Sequence, residues 1–139
     1  MTYKPEYMGK KILVVEDNEL NAKLLAYFLE QNGFLTRSID NGDHVLDQCH
    51  EFKPDMVLMD IEIHGISGAD ACIELRNDKA FDEPIFALTA SNREEFNNKA
   101  GYARFDEYVQ KPILLDDLLN KMDIYISPIA NDSKCASSL

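Results

Sequence analysis

The sequence predicts an α/β fold: a doubly wound, five-stranded parallel sheet, strand order 2-1-3-4-5, with helices on both faces. Three observations carry that prediction. Short apolar runs at 11–15 (KILVV), 56–60 (MVLMD) and 85–90 (IFALTA) read as buried strands. Longer amphipathic stretches separate them. Strands that alternate with helices pair in parallel through right-handed crossovers, which leaves few topologies.

The elements follow in order. After the strand at 11–15, Asn18 is placed to cap a helix over 19–32, with Leu24, Leu25, Phe28 and Leu29 at helical spacing and Gly33 to end it. Residues 34–38 form a weaker, edge-like strand. A helix over 42–51 carries Val45, Leu46 and Cys49. Pro54 precedes the strand 56–60, and the loop IEIHGISG (61–68) follows. Ser67 caps a helix with Ala71, Cys72 and Leu75 on one face. Pro84 opens the fourth strand. The polar stretch 92–102, with Phe96, Ala100 and Tyr102 interspersed, reads as a helix. EYVQK, a short strand, runs to Lys111 before Pro112. The last helix, 114–126, carries Leu115, Leu118, Leu119, Met122 and Ile126, with Asp116 and Asp117 where the helix dipole favours them.

At 139 residues and 45% hydrophobic content the chain suits one domain with its own core. The division expected is an N-terminal extension (1–9), the domain proper (10–126) and a Ser-rich, disordered tail (127–139). The net charge of −11 argues against a nucleic-acid platform or an anionic membrane surface. No apolar run approaches the ~18 residues that span a bilayer. The start, MTYKPEYMGKK, lacks the apolar core of a signal peptide. Cys49, Cys72 and Cys135 have no metal-ligand spacing; Cys49 and Cys72 read as buried reduced thiols, so the expected location is the cytoplasm.

Polar residues fall where the apolar runs stop. The first strand ends in Glu16-Asp17, the third in Asp60, the fourth in Thr89 and the fifth in Lys111. In a parallel sheet these ends share one edge, and ligands bind there at the point where strand order reverses. Crowded carboxylates repel one another, and a divalent cation relieves them. Asp60 could then attack phosphorus as a nucleophile, with Lys111 and the cation neutralising charge and Thr89 donating a hydrogen bond. Singly, Glu16-Asp17 reads as a turn or cap, Lys111 as a solvated lysine and Thr89 as an ordinary strand residue. Asp60 has the strongest individual claim, because a carboxylate directly after VLM is costly unless paired. Together on one edge they read as a site.

These segments carry a resemblance. KILVVEDNELN, DMVLMDIEIHGISG, FALTA and EYVQKPI resemble, in order, the acidic-pair, phosphoacceptor, Thr and Lys-Pro segments of the receiver (CheY-like) domain of two-component response regulators. The wording VEDNELN and ISG is most similar to the DivK type of single-domain regulator. The resemblance covers 11–126 and implies phosphoryl transfer from a phosphohistidine to Asp60. It implies Mg²⁺, with Mn²⁺ able to substitute, held directly by Asp17 and Asp60, by the backbone carbonyl of Glu62, and by Glu16 through water. Thr89 and Lys111 would bind the phosphoryl group, and Tyr108 would be the switch aromatic. Glu62 and Ser91 would flank the attacking water and set phosphoryl lifetime, and the Lys111–Pro112 bond would be cis.

The partners implied are a histidine kinase or histidine phosphotransfer protein, and a downstream protein that meets the face of helix four, strand five and helix five. A monomer or weak dimer, with no turnover activity of its own, is expected. Ile63-His64 depart from the family's Met-Pro, and Arg104 replaces a common glycine; neither removes a catalytic group.

Three other readings stand beside this one. A haloacid-dehalogenase-type phosphohydrolase carries its aspartyl nucleophile in a DxD segment after the first strand, whereas Asp60 follows the third. A pseudo-receiver is never phosphorylated, and the intact Asp17, Asp60, Thr89 and Lys111 argue against it. A receiver fragment of a hybrid kinase is weighed down by an initiating Met and an apparently natural tail.

Overall fold

The computed structural model describes residues 5–63 and 65–126. Five strands, β1 (Lys11–Val15), β2 (Leu35–Ile39), β3 (Met56–Asp60), β4 (Ile85–Thr89) and β5 (Glu107–Gln110), alternate with α1 (Glu19–Gln31), α2 (Val45–Phe52), α3 (Gly68–Asn77), α4 (Arg93–Ala100) and α5 (Leu115–Ile126). The strands pair in parallel in the order β2-β1-β3-β4-β5, as the alternation predicts. Every residue of β3 and β4 is buried, while the edge strand β2 has none that is. That is the pattern expected when both faces of the central strands are covered.

Successive residues of β1 point to opposite faces. Ile12 and Val14 join Leu25, Leu29, Leu118 and Met122 beneath α1 and α5. Leu13 and Val15 join Val45, Cys49, Cys72 and Leu75 beneath α2 and α3. A smaller cluster of Ile61, Ala87, Phe96 and Ala100 seats α4.

The helix ends follow local chemistry. Asn18 accepts from the Asn21 amide at 2.9 Å and Ser67 from the Asp70 amide at 3.1 Å. Asn92 and Glu95 form a reciprocal capping box. Helix α2 begins at Val45, three residues later than the sequence suggests. Leu24 and Tyr102, read as helix-face apolar residues, are exposed instead. The core stripe of α1 runs through Ala22, Leu25 and Leu29, one residue round from the stripe that includes Leu24.

Tyr7 falls in the stretch 1–9 expected as an extension, yet it is 1% exposed within the core beneath α1 and α5. It stacks on Phe34 at 4.8 Å, and its hydroxyl donates to Asp123 of α5 at 2.8 Å. Residues 1–4, His64 and the tail 127–139 with Cys135 lie outside the described residues.

Cys49 and Cys72 are free and buried. Burial pushes their thiols up to about 12 and about 11. Both are therefore expected to resist iodoacetamide at pH 8 in the native protein and to react when urea unfolds it. Rapid native alkylation of either thiol, read by peptide mass mapping, contradicts their burial.

Candidate functional site

The carboxyl ends of β1, β3 and β5 deliver the site. Glu16 and Asp17 directly follow β1, Asp60 closes β3, and Lys111 follows β5. One carboxylate oxygen from each of Glu16, Asp17 and Asp60 lies within 4.8 Å of the other two. Residues 43 positions or more apart in sequence thus meet because β1 and β3 are neighbours in the sheet.

Asp60 is 3% exposed and Glu16 4%. The Asp60 carboxylate accepts from the Glu62 amide at 2.9 Å and from the Lys111 ammonium at 2.6 Å. Lys111 also donates to Glu16 at 3.0 Å, so one cation serves two buried carboxylates. Burial raises Asp60 to about 7, aided by its hydrogen bond with Glu16 and opposed by Lys111. Burial also works to raise Glu16, but the hydrogen bonds with Asp60 and Lys111 outweigh it and hold that carboxyl below its ordinary value. The contact between the two side chains thus works in opposite directions on them, raising Asp60 and lowering Glu16. For Lys111, burial is outweighed by its bonds to Asp60 and Glu16, and its pKa rises. A donor set of three carboxylates with one neutralising lysine fits a hard divalent cation such as Mg²⁺.

Thr89, at the end of β4, is fully buried. Its hydroxyl donates to Glu62 Oε1 at 2.7 Å and accepts from the Ser91 amide at 3.0 Å. Tyr108 lies half-buried on β5. Its hydroxyl donates to the Ser91 carbonyl at 2.7 Å, and its ring packs 4.8 Å from Phe96 and 5.0 Å from the Arg93 guanidinium. The β5 backbone is tied to α5: Lys121 Nζ donates to the Tyr108 carbonyl at 3.1 Å and the Tyr125 hydroxyl to the Asp106 carbonyl at 3.0 Å. The Lys111–Pro112 bond is cis. Gly68 opens α3 against the end of β3: a Cβ there would stand 2.5 Å from the Asp60 carbonyl oxygen.

The structure thus brings together Glu16, Asp17, Asp60 and Lys111, with Glu62, Thr89 and Ser91 as an adjoining group. Two residues were not singled out from sequence. Asn21 donates to Glu16 at 3.4 Å. Lys99 of α4 donates to Glu62 at 3.0 Å and to Ser91 Oγ at 2.7 Å. Burial works to raise the Glu62 carboxyl, and its bonds from Thr89 and Lys99 hold it below the ordinary range. Nothing in the polar run REEFNNKA marks Lys99 apart from any solvated helix lysine.

A sheet that reverses its strand order beside three converging carboxylates and a lysine defines a phosphorelay receiver, a signalling class that handles phosphoryl groups on an aspartate. Residues 12–123 match the family model described as the response regulator receiver domain, and the chain belongs to that family. It is similar to the polar-differentiation response regulator DivK of Brucella anthropi, 32% identical over 120 residues, which cover 86% of this chain and 98% of that protein.

Two solved structures bear on the site. The receiver domain of a sensor histidine kinase from Pseudomonas aeruginosa, with magnesium coordinated in its active-site cleft, matches with TM-score 0.76 and 26% identity, covering 85% of this chain and 98% of that one. The Saccharomyces cerevisiae receiver domain of Ssk1, crystallised with the histidine phosphotransfer protein Ypd1, matches with TM-score 0.77 and 25% identity, covering 86% and 90%. The phosphohydrolase alternative fails on topology, since Asp60 closes β3 and not β1. Among the described residues no helix is long and apolar enough to cross a membrane.

Proposed function

We propose that this protein is a phosphorelay switch in which Asp60 takes a phosphoryl group from a phosphohistidine. The observation that carries this is the meeting of Glu16, Asp17 and Asp60 oxygens within 4.8 Å, beside the Lys111 ammonium. Asp17, Asp60 and the Glu62 carbonyl are the direct Mg²⁺ ligands in this reading, and Glu16 acts through water; Mn²⁺ would serve as well. The bound cation supplies charge neutralisation for the phosphoryl oxygens and for the carboxylates themselves. Lys111 supplies a second positive charge and Thr89 a hydroxyl donor. Glu62 and Ser91 set the lifetime of the acyl phosphate, and Tyr108 is the switch aromatic.

The chain assists its own phosphorylation and dephosphorylation and has no separate turnover. Residues 10–126 form the receiver domain, with Pro5–Tyr7 docked beneath it. We place the protein in the cytoplasm, where buried free thiols stay reduced.

The donor, a histidine kinase or histidine phosphotransfer protein, is proposed to dock beside the site. Leu24 is 59% exposed and Leu114 65%. Leu24 borders a groove of about 320 Å³ that is also lined by Pro112, Ile113 and Leu115 and opens onto Glu16 and Lys111. An apolar helix seated there brings its histidine to the carboxylates. Leu24→Glu is expected to slow transfer from a phosphohistidine donor about tenfold while labelling by phosphoramidate stays unchanged. Equal transfer rates remove α1 from the docking surface.

Downstream, phosphorylation shifts a pre-existing equilibrium of the α4-β5-α5 face toward a target protein. The contact is read as transient, and the protein as a monomer or weak dimer. The test of the whole reading is labelling with phosphoramidate and Mg²⁺. A phosphoryl mass on the Asp60 peptide that hydroxylamine removes, and that does not form in EDTA, is expected. No label, or label elsewhere, rejects it.

A further inference from the structure

Glu62 Oε1 accepts three donors: the Thr89 hydroxyl at 2.7 Å, Lys99 Nζ at 3.0 Å and the Ser91 hydroxyl at 3.2 Å. Lys99 also donates to Ser91 Oγ at 2.7 Å. One carboxylate oxygen therefore ties the loop after β3 to the end of β4 and to the last turn of α4. The Thr89 hydroxyl has a single proton. While Glu62 holds it, a phosphoryl oxygen cannot have it.

Moving that proton to a phosphoryl group strips Glu62 of a hydrogen bond. It does so beside Glu16, Asp17 and Asp60, in a pocket that gains about −2 of charge from the phosphoryl group. Glu62 then needs another partner, or its charge repels the incoming group. Lys111 is already committed to Glu16 and Asp60. Among the described residues, the ammonium paired with Glu62 is that of Lys99.

We propose that Lys99 is a positioning residue for the phosphoryl step. It clasps Glu62 across the mouth of the site, and it takes over that carboxylate when the phosphoryl group draws the Thr89 hydroxyl away. The clasp rests on Asp60 being the phosphoacceptor. It adds a residue on α4 that senses the phosphoryl group through Glu62 without touching it.

Beryllofluoride, which mimics an aspartyl phosphoryl group, supplies the test with the intact protein and Mg²⁺, titrated by NMR. Lys99→Met is expected to weaken beryllofluoride binding about tenfold, and Lys99→Arg to stay within about twofold of the parent. In the Glu62→Gln background, Lys99→Met is expected to cost less than about twofold, because the charge it compensates is gone. A second readout needs no metal. The Ser91 amide donates to Thr89 Oγ1, so its hydrogen exchange is expected to quicken about fivefold in Lys99→Met and not in Lys99→Arg. Equal losses of beryllofluoride affinity in both backgrounds, or no loss in either, overturn the clasp even if Asp60 is the acceptor. A parent protein that fails to bind beryllofluoride overturns the phosphoacceptor reading and the clasp with it.

Discussion

Asp60→Asn is expected to abolish phosphoramidate labelling and, with divalent metal chelated, to stabilise the protein by about 1–2 kcal/mol at pH 8. The first effect follows from loss of the nucleophile, since an amide oxygen forms no acyl phosphate. The second follows from electrostatics. Burial lifts the Asp60 carboxyl from an ordinary 3.8 to about 7. A group raised in the folded state contributes stability that is fully present below its unfolded value and is lost as pH climbs through the folded one. Metal-free parent protein should therefore weaken steadily between pH 5 and 8, and the Asn variant should lack that slope.

Glu16, held below its ordinary value, acts only at the acid end and leaves the neutral window to Asp60. Urea unfolding in EDTA at several pH values reads the difference. A parent whose stability is flat or rising from pH 5 to 8 contradicts the raised carboxyl. Added Mg²⁺ should erase the difference at pH 8 by binding the native state.

Tyr7→Ala is expected to cost about 3–5 kcal/mol, the range for emptying a buried aromatic site. The ring is 1% exposed and stacked on Phe34, so its removal leaves a void beneath α1 and α5. Tyr7→Phe keeps the ring and loses the bond to Asp123, for about 1 kcal/mol. The hydroxyl itself is held neutral: burial, then the bond to Asp123, raise its pKa. Chemical denaturation of the three proteins measures both steps. If Tyr7→Ala unfolds within about 1 kcal/mol of the parent, the segment before β1 is ornamental.

How much of this was visible beforehand depends on how far apart the informative residues sit. The runs KILVV and MVLMD are legible as strands because a buried strand needs unbroken apolar residues, and both are buried almost throughout. The strand-end residues Glu16, Asp17, Asp60, Thr89 and Lys111 stand out because apolar runs give them no structural excuse. Tyr7 is illegible, since the scattered apolar residues of MTYKPEYMGKK show no sustained periodicity to place it. Leu24 misleads because residues one step round a helix share its hydrophobic spacing yet face solvent. Lys99 is hidden for a different reason: its partner is Glu62, and only the fold brings α4 to the loop after β3.

The hydrogen bonds from Lys121 and Tyr125 to the carbonyls of Tyr108 and Asp106 moor the outermost strand to its neighbouring helix. With the main chain moored, rotation of the Tyr108 ring leaves the strand itself in register. In the proposed switch, what a binding partner would detect is then a change of relief at one aromatic position, beside Arg93 and Phe96. A message written by a few side chains on a fixed backbone is inexpensive to reverse, which suits a molecule that must be reset after every round of signalling.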